Sequence, residues 1–165
     1  HFFERLKHIN QRNDQAVIAY AKKRCAKSGA KLTARRSQVL EGLVRSQKAL
    51  SAYELTDYCR DELGYELLPM SVYRILNFLE ENDLIHRLNT TKKYIACSHI
   101  SCEHSHQAPQ FLICKSCSKV EEVSIPKPVV ALVEETTEQA GFRLANSQLE
   151  IECYCTDCPT TELEL

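Results

Sequence analysis

Two short cysteine pairs constrain this chain more than any other feature: Cys114-Lys-Ser-Cys117 and Cys155-Thr-Asp-Cys158. A Cys-x-x-Cys turn aims two sulfurs at one point, and two such turns supply the four thiolates of a structural zinc site. Any fold must therefore bring residues 114–117 against residues 155–158. The interval between the pairs is longer than in a zinc ribbon, which fits a site joining a strand turn to a later segment. Inert buried cysteines do not explain two polar turns of this kind. Cys153 lies just outside the pattern and reads as a spectator.

The other uses of clustered cysteine fit less well. Nine cysteines is an odd number, and the 165-residue chain has only four glycines. A secreted disulfide scaffold is normally shorter, richer in glycine and evenly paired. A catalytic zinc is not expected either. Neither His-Glu-x-x-His nor a His-x-Glu beside Pro-Cys-x-x-Cys occurs, since Ile113 precedes Cys114. The chain reads as a non-enzyme. It has no apolar run of membrane-spanning length and opens on no signal-like segment, so a cytoplasmic location without membrane contact is expected.

Charge divides the chain in two. Residues 1–88 hold fifteen Lys/Arg against eleven Asp/Glu, and residues 89–165 hold six against eleven. Ten of the basic residues lie at or before Arg36, opposed by two acids. The front half is thus fit to meet a polyanion. Its pattern is helical: about Asp14 to Ser28, stopping at Gly29; LTARRSQVLEGLVRS from an N-cap at Thr33; SAYE with the capping-box spacing Ser51–Glu54; and LLPMSVYRILNFLEEN after Pro69. Two short apolar runs, LIHRL and KYIAC, flank Asn-Thr-Thr-Lys and read as a hairpin. Helices followed by a hairpin is the layout of a winged helix, with the fourth helix as the recognition helix. The back half reads as strands FLIC and VEEVSI, a helix PKPVVALVEETTEQAG and strands in FRLANSQLEIECYC. So small a unit benefits from a bound metal and a dimer interface.

Further donors remain in His86, Cys97, His99, Cys102, His104, His106 and Glu122. A mixed sulfur, imidazole and carboxylate set favours zinc over harder iron(II) or manganese(II).

LTARRSQVL, SAYEL, MSVYRILNFL, FLICKSC and CTDC together resemble the ferric uptake regulator superfamily of metal-sensing repressors, over roughly Cys25 to Cys158. YIAC, with Cys97, is more similar to the zinc uptake branch than to the iron branch. The resemblance implies an α+β chain: an N-terminal winged-helix DNA-binding domain (1–90) followed by a small α/β metal-binding dimerisation domain (91–165). It implies a homodimer on double-stranded operator DNA, with two dimers on one operator and at least two Zn2+ per subunit. Cys114, Cys117, Cys155 and Cys158 match the structural zinc ligands. His86, Cys97, Glu122 and His106, with His104 in reserve, match a sensory zinc site between the domains.

The family match also supports Arg74 as the base-reading residue, with Tyr53 beside it and Ser71 and Tyr73 near the DNA backbone. Tyr53 and Tyr73 could instead be amphipathic core residues. Asp57 and Arg60, three apart on one helix, are either an intrahelical ion pair or a bridge between neighbouring dimers. The expected function is zinc-dependent repression of zinc-uptake genes. The alternatives are an iron, manganese or peroxide sensor of the same superfamily, and a thiol redox switch using Cys97 and Cys102.

Overall fold

The computed structural model describes residues 2–98, 100, 110–146 and 148–158, with residues 2–13 as helix backbone only. The chain divides into two compact units, residues 1–103 and 104–165.

The first unit is built from four helices and a hairpin: α1 (Phe2–Lys27), α2 (Ala34–Ser46), α3 (Ala52–Leu63), α4 (Pro69–Glu81), β1 (Ile85–Arg87) and β2 (Tyr94–Ala96). Local chemistry places most of the boundaries. Gly29, at φ +76°, ends α1, and the Ala30 N–H reaches back to the Cys25 carbonyl at 2.8 Å. Thr33 caps α2 by accepting the Arg36 N–H at 3.4 Å. Ser51 and Glu54 close the capping box of α3, each bond 3.2 Å long. Among the helices, the start of α1 departs most from the sequence reading, which began it near Asp14. Residues 1–28 contain no proline or glycine to stop a helix, and it runs back to Phe2.

Packing holds these helices around one core. Val39, Leu40 and Leu43 of α2 meet Leu55 and Cys59 of α3 and Val72, Leu76 and Leu79 of α4. The α2–α3 approach is close: a Cβ at Gly42 would lie 2.6 Å from Cys59 Sγ and 2.9 Å from Leu55 Cδ1. Burial pushes the Cys59 thiol up to about 11 and also raises Cys25, so both are inert core thiols. Ser28, the residue after α1, donates to Asn82 Oδ1 at 3.2 Å, and Arg24 on α1 donates to the Asp83 carbonyl at 3.2 Å. These bonds tie the end of α1 to the end of α4.

The hairpin pairs Ile85 with Ala96, His86 with Ile95 and Arg87 with Tyr94. Its strands are shorter than the apolar runs that announced them. Leu88 and Lys93 close the loop, with Lys92 at φ +55°. Leu50, just before α3, exchanges two backbone bonds with Tyr94, at 2.9 and 2.8 Å. Lys93 reaches Glu54 at 3.2 Å. The wing is thereby fastened to the same helix cap that starts α3.

The second unit is a three-stranded sheet ordered β4 (Val120–Val123), β3 (Gln110–Cys114), β5 (Leu149–Cys153), with α5 (Lys127–Gln139) in the connection from β4 to β5. β3 runs antiparallel to β4 and parallel to β5, in a register that sets Cys114 opposite Cys153. The whole is an α+β chain with a winged helix at its front, as the sequence reading expected. Among the described residues, no helix is long and apolar enough to cross a membrane.

Candidate metal centre and DNA-reading face

The parallel pairing of β3 with β5 assembles the metal centre. Cys114 ends β3, and Cys117 follows in the turn, where Ser118 adopts φ +63° and donates its N–H to the Cys114 carbonyl at 3.0 Å. The Lys115 N–H donates to the Cys153 carbonyl at 2.8 Å, carrying the register one residue past the sheet. Two residues beyond β5, the Cys155 N–H donates to Cys114 Sγ at 3.3 Å. The four sulfurs then lie within 4.8 Å of one another.

Their spacing fits zinc. A tetrahedron with Zn–S bonds of about 2.3 Å has sulfurs about 3.8 Å apart. Here Cys114 and Cys158 are 3.7 Å apart, Cys117 and Cys155 3.6 Å, and Cys155 and Cys158 3.4 Å. A disulfide would need about 2.05 Å, and no pair of described cysteines is bonded. The electrostatics agree. Backbone N–H groups of Cys117 and Cys155 bring the Cys114 thiol down to about 6, while the neighbouring thiols of Cys155 and Cys117 push Cys158 up to about 12. Sulfurs this close ionise together only around a cation. Cys153 stays outside, its sulfur 3.6 Å from its own strand's Ile151 carbonyl.

The remaining metal-ligand candidates fall on separate elements. His86 is half-buried on β1, and Cys97 is buried just after β2, where its N–H donates to the Leu84 carbonyl at 3.0 Å. Hairpin pairing brings a ring nitrogen of His86 and the Cys97 sulfur within 4.8 Å. Glu122 is half-buried on β4, paired in register with Phe111. His99, Cys102, His104 and His106 lie outside the described residues.

On the first unit, α4 buries Val72, Ile75, Leu76 and Leu79 and turns Met70, Tyr73, Arg74 and Asn77 outward. Tyr53 at 64% exposure and Tyr73 at 41% are surface residues, which removes the core alternative for both. Their rings meet edge to face, centroids 6.4 Å apart at 84°. Ser71 is half-buried. Asp57 and Arg60 form the exposed intrahelical pair at 3.2 Å, and Arg60 also reaches Asp61 at 3.0 Å. Lys22 and Lys23 are exposed on α1, with Lys23 5.8 Å from the Tyr20 ring centroid. The sequence reading missed the Lys93–Glu54 link and the exposed Met70. The capping box and the outward period of α4 were the available signals for them.

Comparison with known proteins agrees with this arrangement. The ferric uptake regulator family model matches residues 27–152. The zinc uptake regulation protein of Escherichia coli is 32% identical over 148 residues, 90% of this chain and 84% of that protein. The ferric uptake regulation protein of Helicobacter pylori is 27% identical over 148 residues, 90% of this chain and 95% of its own length. A solved zinc uptake regulator complexed with zinc and DNA superposes with a TM-score of 0.75 at 29% identity, covering 88% of this chain and 94% of that one. Winged helix, four-cysteine centre and family match converge: this chain belongs to the ferric uptake regulator family of DNA-binding, metal-responsive transcriptional regulators.

Proposed function

We propose that this chain is a zinc-sensing repressor acting as a cytoplasmic homodimer on double-stranded operator DNA that controls zinc-uptake genes. The observation that carries the reading is the buried Cys97 thiol within 4.8 Å of a His86 ring nitrogen at the wing. A thiolate in a sensory set selects zinc over iron(II) or manganese(II). The 32% identity to a zinc uptake regulation protein supports the same choice. The 27% identity to a ferric uptake regulation protein supports the iron reading, which the experiment below separates.

A zinc ion supplies a cationic cross-link among imidazole, thiolate and carboxylate donors. His86 and Cys97 give the wing its share of those donors. Glu122 and His106, with His104 as substitute, complete the sensory set. The unit that carries the wing through β2 serves as the DNA-binding domain, and the second unit as the metal-binding dimerisation domain. The four-cysteine centre takes the structural zinc, making at least two per subunit. Exposed Val129, Leu132, Phe142, Ile151 and Tyr154 support a dimer through the second unit, because a small unit rarely leaves so many large apolar side chains in water.

The test is operator-length DNA binding against buffered free zinc, with iron(II) and manganese(II) in parallel and the structural zinc kept in place. Wild-type protein gains affinity steeply with zinc alone. Cys97→Ser needs more than about 100-fold higher free zinc, since losing a mere supporting partner of a ligand already costs about 10–100-fold. Unchanged zinc dependence in Cys97→Ser refutes the sensory site, and a response to iron or manganese instead refutes the zinc reading.

Asp57 and Arg60 are exposed enough to exchange their intrahelical pair for one between two dimers on one operator. Asp57→Arg is expected to abolish cooperative filling of a two-dimer operator while leaving single-dimer binding intact. A binding curve of unaltered steepness removes that role.

A further inference from the structure

The tip of α4 carries an unexplained apolar feature. Met70, the chain's single methionine, is 73% exposed, and Leu68 on the other side of Pro69 is 70% exposed. Leu68 also occupies the N-cap, where Ser, Thr, Asp or Asn would bond the first turn, and no side chain caps this helix. α2 and α3 both have polar caps in place. The helix that faces outward with Tyr73 and Arg74 thus gives up a cap and holds two large apolar side chains in water. Nothing acidic lies in its first turn to repel phosphate.

One partner suits this face. A duplex is drawn by Arg74 and the basic front half, and a solved relative holds DNA. Recognition helices enter the major groove with their N-terminal residues nearest the base edges. There the bases display one apolar group, the thymine C5-methyl. Met70 sits one turn before Arg74, on the same exposed face. Its flexible thioether can follow a methyl whose position differs slightly between half-sites.

We propose that Met70 is a specificity-determining residue that reads a thymine methyl in the operator's major groove, with Leu68 excluding water beside it. The inference rests on the DNA-reading role of α4 and adds a base to the guanine expected for Arg74.

The test replaces each thymine of an operator by uracil, which preserves pairing and removes only the methyl. The operator is one selected from random duplexes by the zinc-loaded wild-type protein. At one thymine in a half-site, uracil weakens wild-type binding about fourfold, the worth of burying one methyl-sized group. The same uracil leaves Met70→Ala unaffected, while Met70→Leu retains most of the wild-type discrimination. Met70 is exposed, so both variants fold, and unchanged thermal melts verify it. Selective wild-type binding with no uracil-sensitive thymine overturns the inference, as does an equal uracil loss in Met70→Ala; either result leaves α4 as the DNA reader. A wild-type protein that selects no sequence overturns the DNA-reading role and this inference together.

Discussion

Cys114→Ser protein is expected to lose one tightly held zinc per chain and, with it, the folded second unit. Little else holds that unit together. Its buried apolar side chains among the described residues are Phe111, Ile113 and Cys114, and α5 buries none of its own. A three-stranded sheet with so small a core does not offset the conformational entropy of ordering it. A structural zinc contributes about 10–16 kcal/mol apparent at neutral pH, which dominates anything the sheet can supply. Circular dichroism should show loss of strand and of α5, and limited proteolysis should cut between residues 110 and 158 while residues 14–98 persist. Cys153→Ser is the matched control: its sulfur lies outside the cluster, so zinc content and melting should match wild type. A Cys114→Ser protein that keeps its full zinc and an unchanged melt would contradict the four-thiolate site.

Arg74→Ala should lose sequence preference more than affinity. Arg74 is exposed on the outward face of α4 beside Tyr73, and a guanidinium bonded twice to guanine is worth about 1–3 kcal/mol of discrimination. Operator binding is expected to fall by roughly 5- to 150-fold at fixed salt while binding to unrelated duplexes barely moves. Lys22 and Lys23 provide the contrast. Both are exposed near the end of α1, and a lysine on a phosphate carries no sequence information. Neutralising either should weaken every duplex alike and lower the log–log salt slope by about 1. If Arg74→Ala loses the same factor on every sequence, Arg74 is a phosphate contact and base reading lies elsewhere on α4.

Much of the first unit was legible because its signals are local. Thr33, the Ser51–Glu54 box and Gly29 act within one helical turn of themselves, so their spacing in the chain is their spacing in space. The apolar stripe of α4 likewise named its buried face before any neighbour was known. The start of α1 was not legible, because an uninterrupted helical pattern carries no mark where packing begins to support it. Tyr53 and Tyr73 were ambiguous for a related reason: an aromatic ring at helical spacing suits a core or a surface, and only the neighbouring helices decide which.

The metal centre shows where that boundary lies. Residue type alone determined that Cys114, Cys117, Cys155 and Cys158 could hold zinc, since two Cys-x-x-Cys turns supply thiolates and nothing else at that spacing. That the turns meet was decided by tertiary structure. Parallel strands need a long crossover, here the one carrying α5, so β3 and β5 find each other through sheet pairing across a distance no local signal spans. The register of that pairing then sets Cys114 against Cys153 and carries Cys155 round to the Cys114 sulfur, which makes Cys155 a ligand candidate and leaves Cys153 out. The same division holds at the wing. His86 and Cys97 were nameable as donors from their chemistry, but their approach depends on a hairpin register that places His86 across from Ile95, two residues before Cys97. Donor chemistry belongs to single residues, whereas a shared ion requires strands whose order and register arise only when the sheet forms.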